Sequence, residues 1–288
     1  MASNQEFSPA KMLEIAATDV RSPLQQSDFV AILAKPPFIS VPGTFNTRDI
    51  GRVSGSAIRP GFAFRSGSLE DVSEPGGNVI TQQLGIRRIF DLRSGDERKI
   101  HPEPEIPEVE NDWIPNSYNN AVDINDFVSG GGEEGYCKMY MEIMEVYAPT
   151  FRAVLEHVRD RPSEPFLFHC APNLGLSKVG RDRTGIVAGL LLSLAGSDEE
   201  TLTLDYMITR IGSEPIRDIL LENAIREHAN EKGLDDEPFY NLCSLRISTW
   251  ELFMKQINIK YGGFEGYVTG RLGFSKDELE KIRINLRE

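Results

Sequence analysis

Two short segments in the middle of the chain have the pattern of buried β-strands. Residues 87–92 and 165–169 each contain a short apolar run bounded by polar or turn-forming residues. Runs of this kind are typical of strands that are covered on both faces. A further short strand is predicted around residues 62–65. Apolar residues recur at helical spacing between these strands, and the alternation predicts an α/β fold with a central sheet flanked by helices.

The most apolar predicted helix, residues 184–194, follows the second of these strands. Upstream, residues 136–159 carry apolar side chains at helical spacing, and Pro149 is expected to open a second helix there or to bend the first. The other predicted helices are residues 79–84, 198–210, 214–232, 244–261 and 275–286. The C-terminal third of the chain is therefore predicted to be helical.

Residues 1–40 are predicted to form an N-terminal helical arm. Apolar positions at helical spacing occur around Met12 and resume at Phe29, with a break at Ser22-Pro23. The arm is expected to pack on one main domain that comprises residues 41–288.

The chain is acidic, with 44 Asp and Glu against 31 Lys and Arg and a formal net charge of −13. This charge repels nucleic acids and anionic membrane surfaces, so no nucleic-acid partner is expected. An anionic substrate would have to be captured by a local group of donors. Because 40% of the 288 residues are hydrophobic, the chain can bury a sizeable core, which excludes a mainly disordered protein.

The sequence also limits the expected location of the protein. No apolar run approaches the length that crosses a bilayer, and the polar segment Met1–Pro9 lacks the features of a signal peptide. Cys137, Cys170 and Cys243 are odd in number and form no Cys-x-x-Cys pair, so neither a disulfide framework nor a zinc site is expected. These features indicate a reducing compartment, and the predicted location is the cytoplasm.

One segment, residues 166–185, combines the groups that phosphoryl transfer to sulfur requires. A predicted strand ends at His169-Cys170, a glycine-containing loop follows, and the apolar helix begins near Arg183. Backbone N–H groups at a helix start bind anions, and the same field is expected to lower the pKa of Cys170. An arginine can hold two phosphate oxygens at once, which a lysine cannot do. The segment therefore indicates a nucleophile, an anion cradle and a clamp in one place.

This segment resembles the signature His-Cys-x-x-Gly-Lys-Asp-Arg-Thr-Gly of the atypical tyrosine/serine protein phosphatases found in bacteria and fungi. Further segments resemble the same family in the same order: residues 45–51, 58–69, 84–97 and 261–267. The resemblance covers roughly residues 40–285, far more than a chance motif match. It implies a cysteine-phosphatase-like central sheet flanked by helices.

The main departure of the signature from the family is the length of its loop. The family places five residues between the cysteine and the arginine, whereas residues 171–182 separate Cys170 from Arg183 here, an excess that residues 172–178 account for. Closing the longer loop costs only about 0.8 kcal/mol of entropy, so preorganisation of the cradle is the larger concern. If the insertion bulges outward, Cys170 and Arg183 can still meet. If it spreads the loop, the cradle is lost.

The resemblance implies catalytic roles for five residues if the insertion bulges outward. Cys170 would attack phosphorus as a thiolate, and Arg183 would hold the phosphoryl oxygens. Asp182 matches the aspartate proposed in the family as general acid, and Asp91 matches a second aspartate that is an alternative acid or a loop organiser. Thr184 would donate its hydroxyl to the sulfur of Cys170.

The remaining site residues are expected to bind phosphate. Arg181 replaces the family's lysine and keeps its positive charge beside the substrate. The expected phosphate-binding set is Ala171, Val179, Gly180, Arg181 and Gly185. No metal or cofactor is expected, because the clamp is organic and the nucleophile is sulfur.

Structural interpretations stand beside these roles. Asp91 pairs with Arg48 or Arg93 in the alternative interpretation, and His169 supports the loop by hydrogen bonding. Residues 175–182 imitate the spacing of a nucleotide P-loop, but Asp182 replaces the hydroxyl that would bind magnesium and would repel phosphates.

Three functions follow from the sequence. The first is a cysteine-dependent phosphatase that acts on phosphotyrosine, phosphoserine/threonine or phosphoinositides. The second is a relative of such an enzyme in which the inserted residues 172–178 have impaired catalysis. Such a protein would bind a phosphorylated ligand or another protein. The third is a nucleotide hydrolase, which would need magnesium.

Overall fold

The computed structural model describes residues 7–116, 122–170, 180–228 and 233–288, with the backbone alone for residues 227 and 228. The predicted phosphate-binding residues Ala171 and Val179 and the insertion 172–178 lie outside the described residues. A mixed five-stranded sheet has the order β1-β2-β5-β3-β4 within this part of the chain. Its strands are β1 (Arg48–Asp49), β2 (Ala63–Ser66), β3 (Arg88–Asp91), β4 (Glu110–Trp113) and β5 (Phe166–His169).

The three predicted strands are confirmed as β2, β3 and β5, which form the parallel centre of the sheet. Sequence reasoning missed the two edge strands. β1 has two residues and pairs antiparallel with β2, so it is too short to leave a pattern. β4 is polar and largely exposed, and it pairs parallel with β3. An edge strand with one covered side lacks the apolar run by which a buried strand is found.

The carboxyl ends of the central strands lie side by side. Ser66 and Asp91 are both in register with His169, and Cys170 follows His169 directly. In parallel sheets, ligands bind at the carboxyl ends of the strands. The sheet therefore places the predicted nucleophile where a substrate is expected to bind.

Helices cover the sheet and form the C-terminal third, as predicted. They are α1 (Pro9–Ala16), α2 (Gln26–Leu33), α3 (Glu74–Asn78), α4 (Gly95–Ile100), α5 (Glu133–Val146), α6 (Ala148–Asp160), α7 (Asp182–Ala195), α8 (Glu199–Met207), α9 (Thr209–Gly212), α10 (Arg217–His228), α11 (Glu237–Cys243), α12 (Ile247–Tyr261), α13 (Gly263–Gly266) and α14 (Lys276–Arg287). The predicted helix at residues 79–84 is a π-helical turn, Val79–Gln83, that continues α3. Pro149 opens a second helix, because α6 begins one residue before it.

The most apolar helix, α7, lies in the core with nearly every side chain buried. A helix that is apolar on all sides needs such a position. It ends at Ala195, and the following residue, Gly196, has a φ of +94°, which glycine adopts without strain.

The two N-terminal helices pack against the C-terminal part of the chain. α1 contacts α8 and α9, and α2 contacts α9. Met12, Ile15 and Ile32 belong to the main hydrophobic core. In the described part of the chain, no helix has both the length and the apolar character that a membrane span requires.

Candidate active site

Cys170 and the start of α7 meet in the structure although the sequence separates them by a long loop. Cys170 is 1% exposed, and its Sγ lies 3.9 Å from Oγ1 of Thr184 in the first turn of α7. The thiol is also close enough to Arg183 for the guanidinium charge to act on the Cys170 pKa. The predicted nucleophile and the predicted clamp therefore lie close together at the carboxyl ends of the central strands.

Glu97 of α4 holds the Arg183 guanidinium in place. Its two terminal nitrogens each donate to one carboxylate oxygen of Glu97 at 2.7 Å. Nη1 also donates to the backbone oxygen of Leu92 at 2.9 Å and lies 3.2 Å from the Tyr147 hydroxyl. Glu97 is itself held by Ser94, with which it forms a capping box at the start of α4. The fork of the arginine is therefore oriented before any ligand binds.

Sequence reasoning matched Glu97 to the family but gave it no role. A signal was available, because the spacing of Ser94 and Glu97 predicts a capping box and hence an ordered carboxylate. The contact between Glu97 and Arg183 spans 86 residues and leaves no local pattern.

The expected lowering of the Cys170 pKa is not found. Burial raises the pKa of the thiol, and the charge of Arg183 opposes this without outweighing it. Asp182 and Glu97 raise the pKa further. Glu97 also neutralises much of the Arg183 charge, so the balance of these effects holds the pKa of the Cys170 thiol above its ordinary value.

Asp182 is the first residue of α7 and keeps some access to solvent. Its Oδ1 accepts from the Tyr140 hydroxyl at 2.7 Å and from Nε of Arg181 at 3.0 Å, and its side chain is 14% exposed. The Tyr140 hydroxyl is in turn 2.8 Å from the Tyr206 hydroxyl. Arg181 lies over the ring of Tyr136, 5.1 Å from its centre. Asp182 is thus oriented by neutral and charged donors while one edge stays accessible.

Asp91 is enclosed in a network of ion pairs. It accepts three hydrogen bonds from Arg93, through the backbone N–H, Nε and Nη2, each at 2.9 Å. Nε of Arg98 adds a contact of 3.1 Å, and the Asp91 side chain has no exposure. The predicted pairing with Arg93 is confirmed. The alternative pairing with Arg48 is wrong, because Arg48 binds Asp205 instead.

One buried group has the geometry of a partial metal site. Ligand atoms of Asp91, Glu103 and His169 all lie within 4.8 Å of one another. However, the Arg93 guanidinium already donates to both carboxylates, and Arg98 contacts Asp91 as well. Two positive charges beside the carboxylates oppose the binding of a cation. These three residues are therefore part of an ion-pair network that stabilises the carboxyl ends of β3 and β5.

Thr184 and Gly185 both form hydrogen bonds with the segment that leads into α7. Thr184 donates its hydroxyl to the backbone oxygen of Gly180, so it accepts from the Cys170 thiol and does not donate to sulfur. The amide of Gly185 donates to Arg181 O at 2.9 Å as the first hydrogen bond of the helix. This N–H is therefore engaged within the helix in this structure.

The buried carboxylates of this region predict acid sensitivity. Burial would raise the pKa values of Glu97, Asp91 and Asp205, but adjacent positive groups and hydrogen bonds hold all three below their ordinary values. The unfolded chain then binds protons at these groups at higher pH than the folded chain does. We expect the free energy of unfolding, measured in urea, to fall progressively below about pH 5. The dependence should be shallower in Glu97→Gln, and a free energy that stays flat or rises on acidification contradicts the prediction.

Comparison with known proteins agrees with this geometry. A sequence model described as the tyrosine phosphatase family matches residues 39–288. A tyrosine-protein phosphatase of Nostoc commune is 24% identical over 205 residues, which cover 70% of this chain and 67% of the relative. The triple specificity protein phosphatase PtpB of Mycobacterium tuberculosis is 25% identical over 197 residues, which cover 58% of this chain and 67% of the relative.

Proposed function

Since the chain belongs to the tyrosine phosphatase family, we propose that it hydrolyses phosphomonoesters through a cysteinyl-phosphate intermediate on Cys170. The observation that carries the proposal is the contact between the Cys170 thiol and the first turn of α7, beside the preoriented Arg183. The substrate class is phosphotyrosine or phosphoserine/threonine in proteins, or phosphoinositides. The names of the two relatives support a phosphorylated protein substrate.

In the first step the Cys170 thiolate attacks phosphorus, after the thiol has lost its proton to solvent. The S–P bond forms and the ester P–O bond breaks, and Asp182 gives a proton to the leaving oxygen. In the second step Asp182 takes a proton from water, which attacks phosphorus. The S–P bond breaks, and inorganic phosphate and the thiolate are released. Arg183 would bind the equatorial oxygens in both steps.

The geometry favours Asp182 over Asp91 as the general acid. Asp182 is partly exposed and lies at the start of α7, whereas the oxygens of Asp91 are occupied by Arg93 and Arg98. A general acid must reach the leaving oxygen of a bound substrate. We assign Asp91 the role of organising the loop below the site.

A second candidate function rests on the burial of the Cys170 thiol, which is 1% exposed. Because burial raises the pKa of the Cys170 thiol, the same site could bind a phosphorylated ligand without cleaving it. The protein would then be an inactive relative that serves as a binding module.

Phosphate release by the intact chain tests the proposal. We expect turnover of p-nitrophenyl phosphate and of a phosphotyrosine peptide that vanadate inhibits and that EDTA leaves unchanged. A variant that lacks residues 172–178 serves as the comparison. Turnover by this variant alone would favour the binding module, a requirement for magnesium would favour a nucleotide hydrolase, and turnover by neither chain contradicts the proposed enzyme.

A further inference from the structure

Arg65, a fully buried residue of β2, contacts the end of the signature loop from the side of the sheet. Its Nη2 donates to the backbone oxygen of Gly180 at 2.8 Å and to that of Arg181 at 3.2 Å. The same nitrogen donates to Oγ1 of Thr184 at 2.9 Å. One guanidinium thus binds three oxygens of the segment that leads into α7.

These contacts determine where the backbone N–H groups of the segment point. In a trans peptide the C=O and the following N–H lie in one plane and point in opposite directions. Arg65 shares the oxygen of Gly180 with the Thr184 hydroxyl and the oxygen of Arg181 with the amide of Gly185, so the N–H groups of Arg181 and Asp182 point away from Arg65. The first amides of a helix have no acceptor within the helix. They therefore point to the side of the segment opposite Arg65.

Gly180 allows the loop to approach β2 closely enough for these contacts. Its φ is +62°, and a Cβ atom at this position would lie 2.1 Å from the backbone oxygen of Ser66. Any side chain here would push the segment away from the sheet. The glycine and the arginine thus serve the same close approach.

Asp205 of α8 anchors the guanidinium of Arg65. One carboxylate oxygen accepts from Arg65, and the other accepts from Nε of Arg48 at 2.7 Å. Arg48 is equally buried, but its other partners are Asn46 and Thr209 and not the loop. Two guanidiniums share one carboxylate, so the ion network leaves an excess positive charge beneath the loop.

We propose that Arg65 is a positioning residue for oxyanion binding, which it supports by holding the carbonyl groups of residues 180 and 181 away from the ligand. The inference rests on the proposed function, because it assumes that the amides at the start of α7 bind the phosphoryl group. Arg65 acts through these amides and does not touch the substrate.

Matched variants test the role of Arg65. Arg65→Lys keeps the positive charge beside Asp205 but cannot reach three acceptors, whereas Arg48→Lys alters the same ion network without a loop contact. We expect Arg65→Lys to lower the affinity for tungstate, measured by calorimetry, and kcat by at least about tenfold each. In Arg48→Lys both quantities should stay near those of the unaltered chain at a similar loss of thermal stability. If Arg65→Lys does not fold, Arg65→Gln provides the same comparison with a planar donor.

Equal effects of the Arg65 and Arg48 variants on tungstate binding would overturn the inference, as would unchanged binding in Arg65→Lys. The binding measurement does not depend on turnover. An intact chain that binds tungstate but releases no phosphate would refute the proposed enzyme and still test Arg65. An intact chain that binds no tungstate would overturn the inference whether or not it releases phosphate.

Discussion

Cys170→Ser is expected to abolish phosphate release while the fold and oxyanion binding persist. A serine hydroxyl is a far weaker nucleophile than a thiolate, and no base that would activate it contacts Cys170 among the described residues. Loss of a covalent nucleophile lowers kcat by about 10⁴ to 10⁶. The smaller hydroxyl fits the buried position and can still donate to Oγ1 of Thr184. Hydrolysis of p-nitrophenyl phosphate measures the loss of activity. Calorimetric titration with tungstate measures whether the variant still binds an oxyanion.

Cys137→Ser is the matched control for this substitution. Cys137 is also a buried thiol, 7% exposed, and burial raises its pKa as it does that of Cys170. It lies on α5, and within the described residues no hydrogen bond joins it to Thr184 or Arg183. We expect this variant to keep its kcat. Turnover that survives in Cys170→Ser would end the cysteine mechanism.

The sequence predicts the parts of the fold whose signals are local. Strands β3 and β5 and helix α7 are found because each is a short stretch that is buried on most sides, and this leaves an apolar run. The division between α5 and α6 follows from the fixed φ of Pro149. The edge strand β4 escapes prediction because its residues are polar and its pairing with β3 is a tertiary contact.

The site divides in the same way. The pairing of Asp91 with Arg93 is predictable because they lie only two positions apart in the chain. The carboxylate partners of Arg183 and Arg65 lie 86 and 140 residues away, so no pattern near either arginine reveals them. The predicted direction of the Cys170 pKa shift is wrong for a related reason. The helix start and Arg183 are visible in the sequence, whereas burial and the neutralising Glu97 are properties of the folded chain.

Arg183→Lys is the second large effect that we expect, and it combines loss of activity with loss of stability. A lysine has one compact ammonium and cannot replace the two parallel hydrogen bonds to Glu97 or the bond to Leu92 O. The buried carboxylate then loses its charged partner and keeps only Ser94, which costs about 1–3 kcal/mol of unfolding free energy. The lysine variant also lacks the planar guanidinium that would bind the phosphoryl oxygens in the transition state. We therefore expect kcat to fall by about 10²–10³.

Arg210→Lys separates these two consequences. Arg210 is also buried, at 5% exposure, and it pairs with Glu214 and with the backbone oxygen of Ser22. Its substitution should lower the unfolding free energy by a comparable amount and leave kcat unchanged, because its partners lie outside the phosphate-binding segment. Urea denaturation and steady-state kinetics on both variants measure the two effects side by side. If kcat falls equally in both variants, the loss in Arg183→Lys reflects general destabilisation and Arg183 is not the clamp on the phosphoryl oxygens.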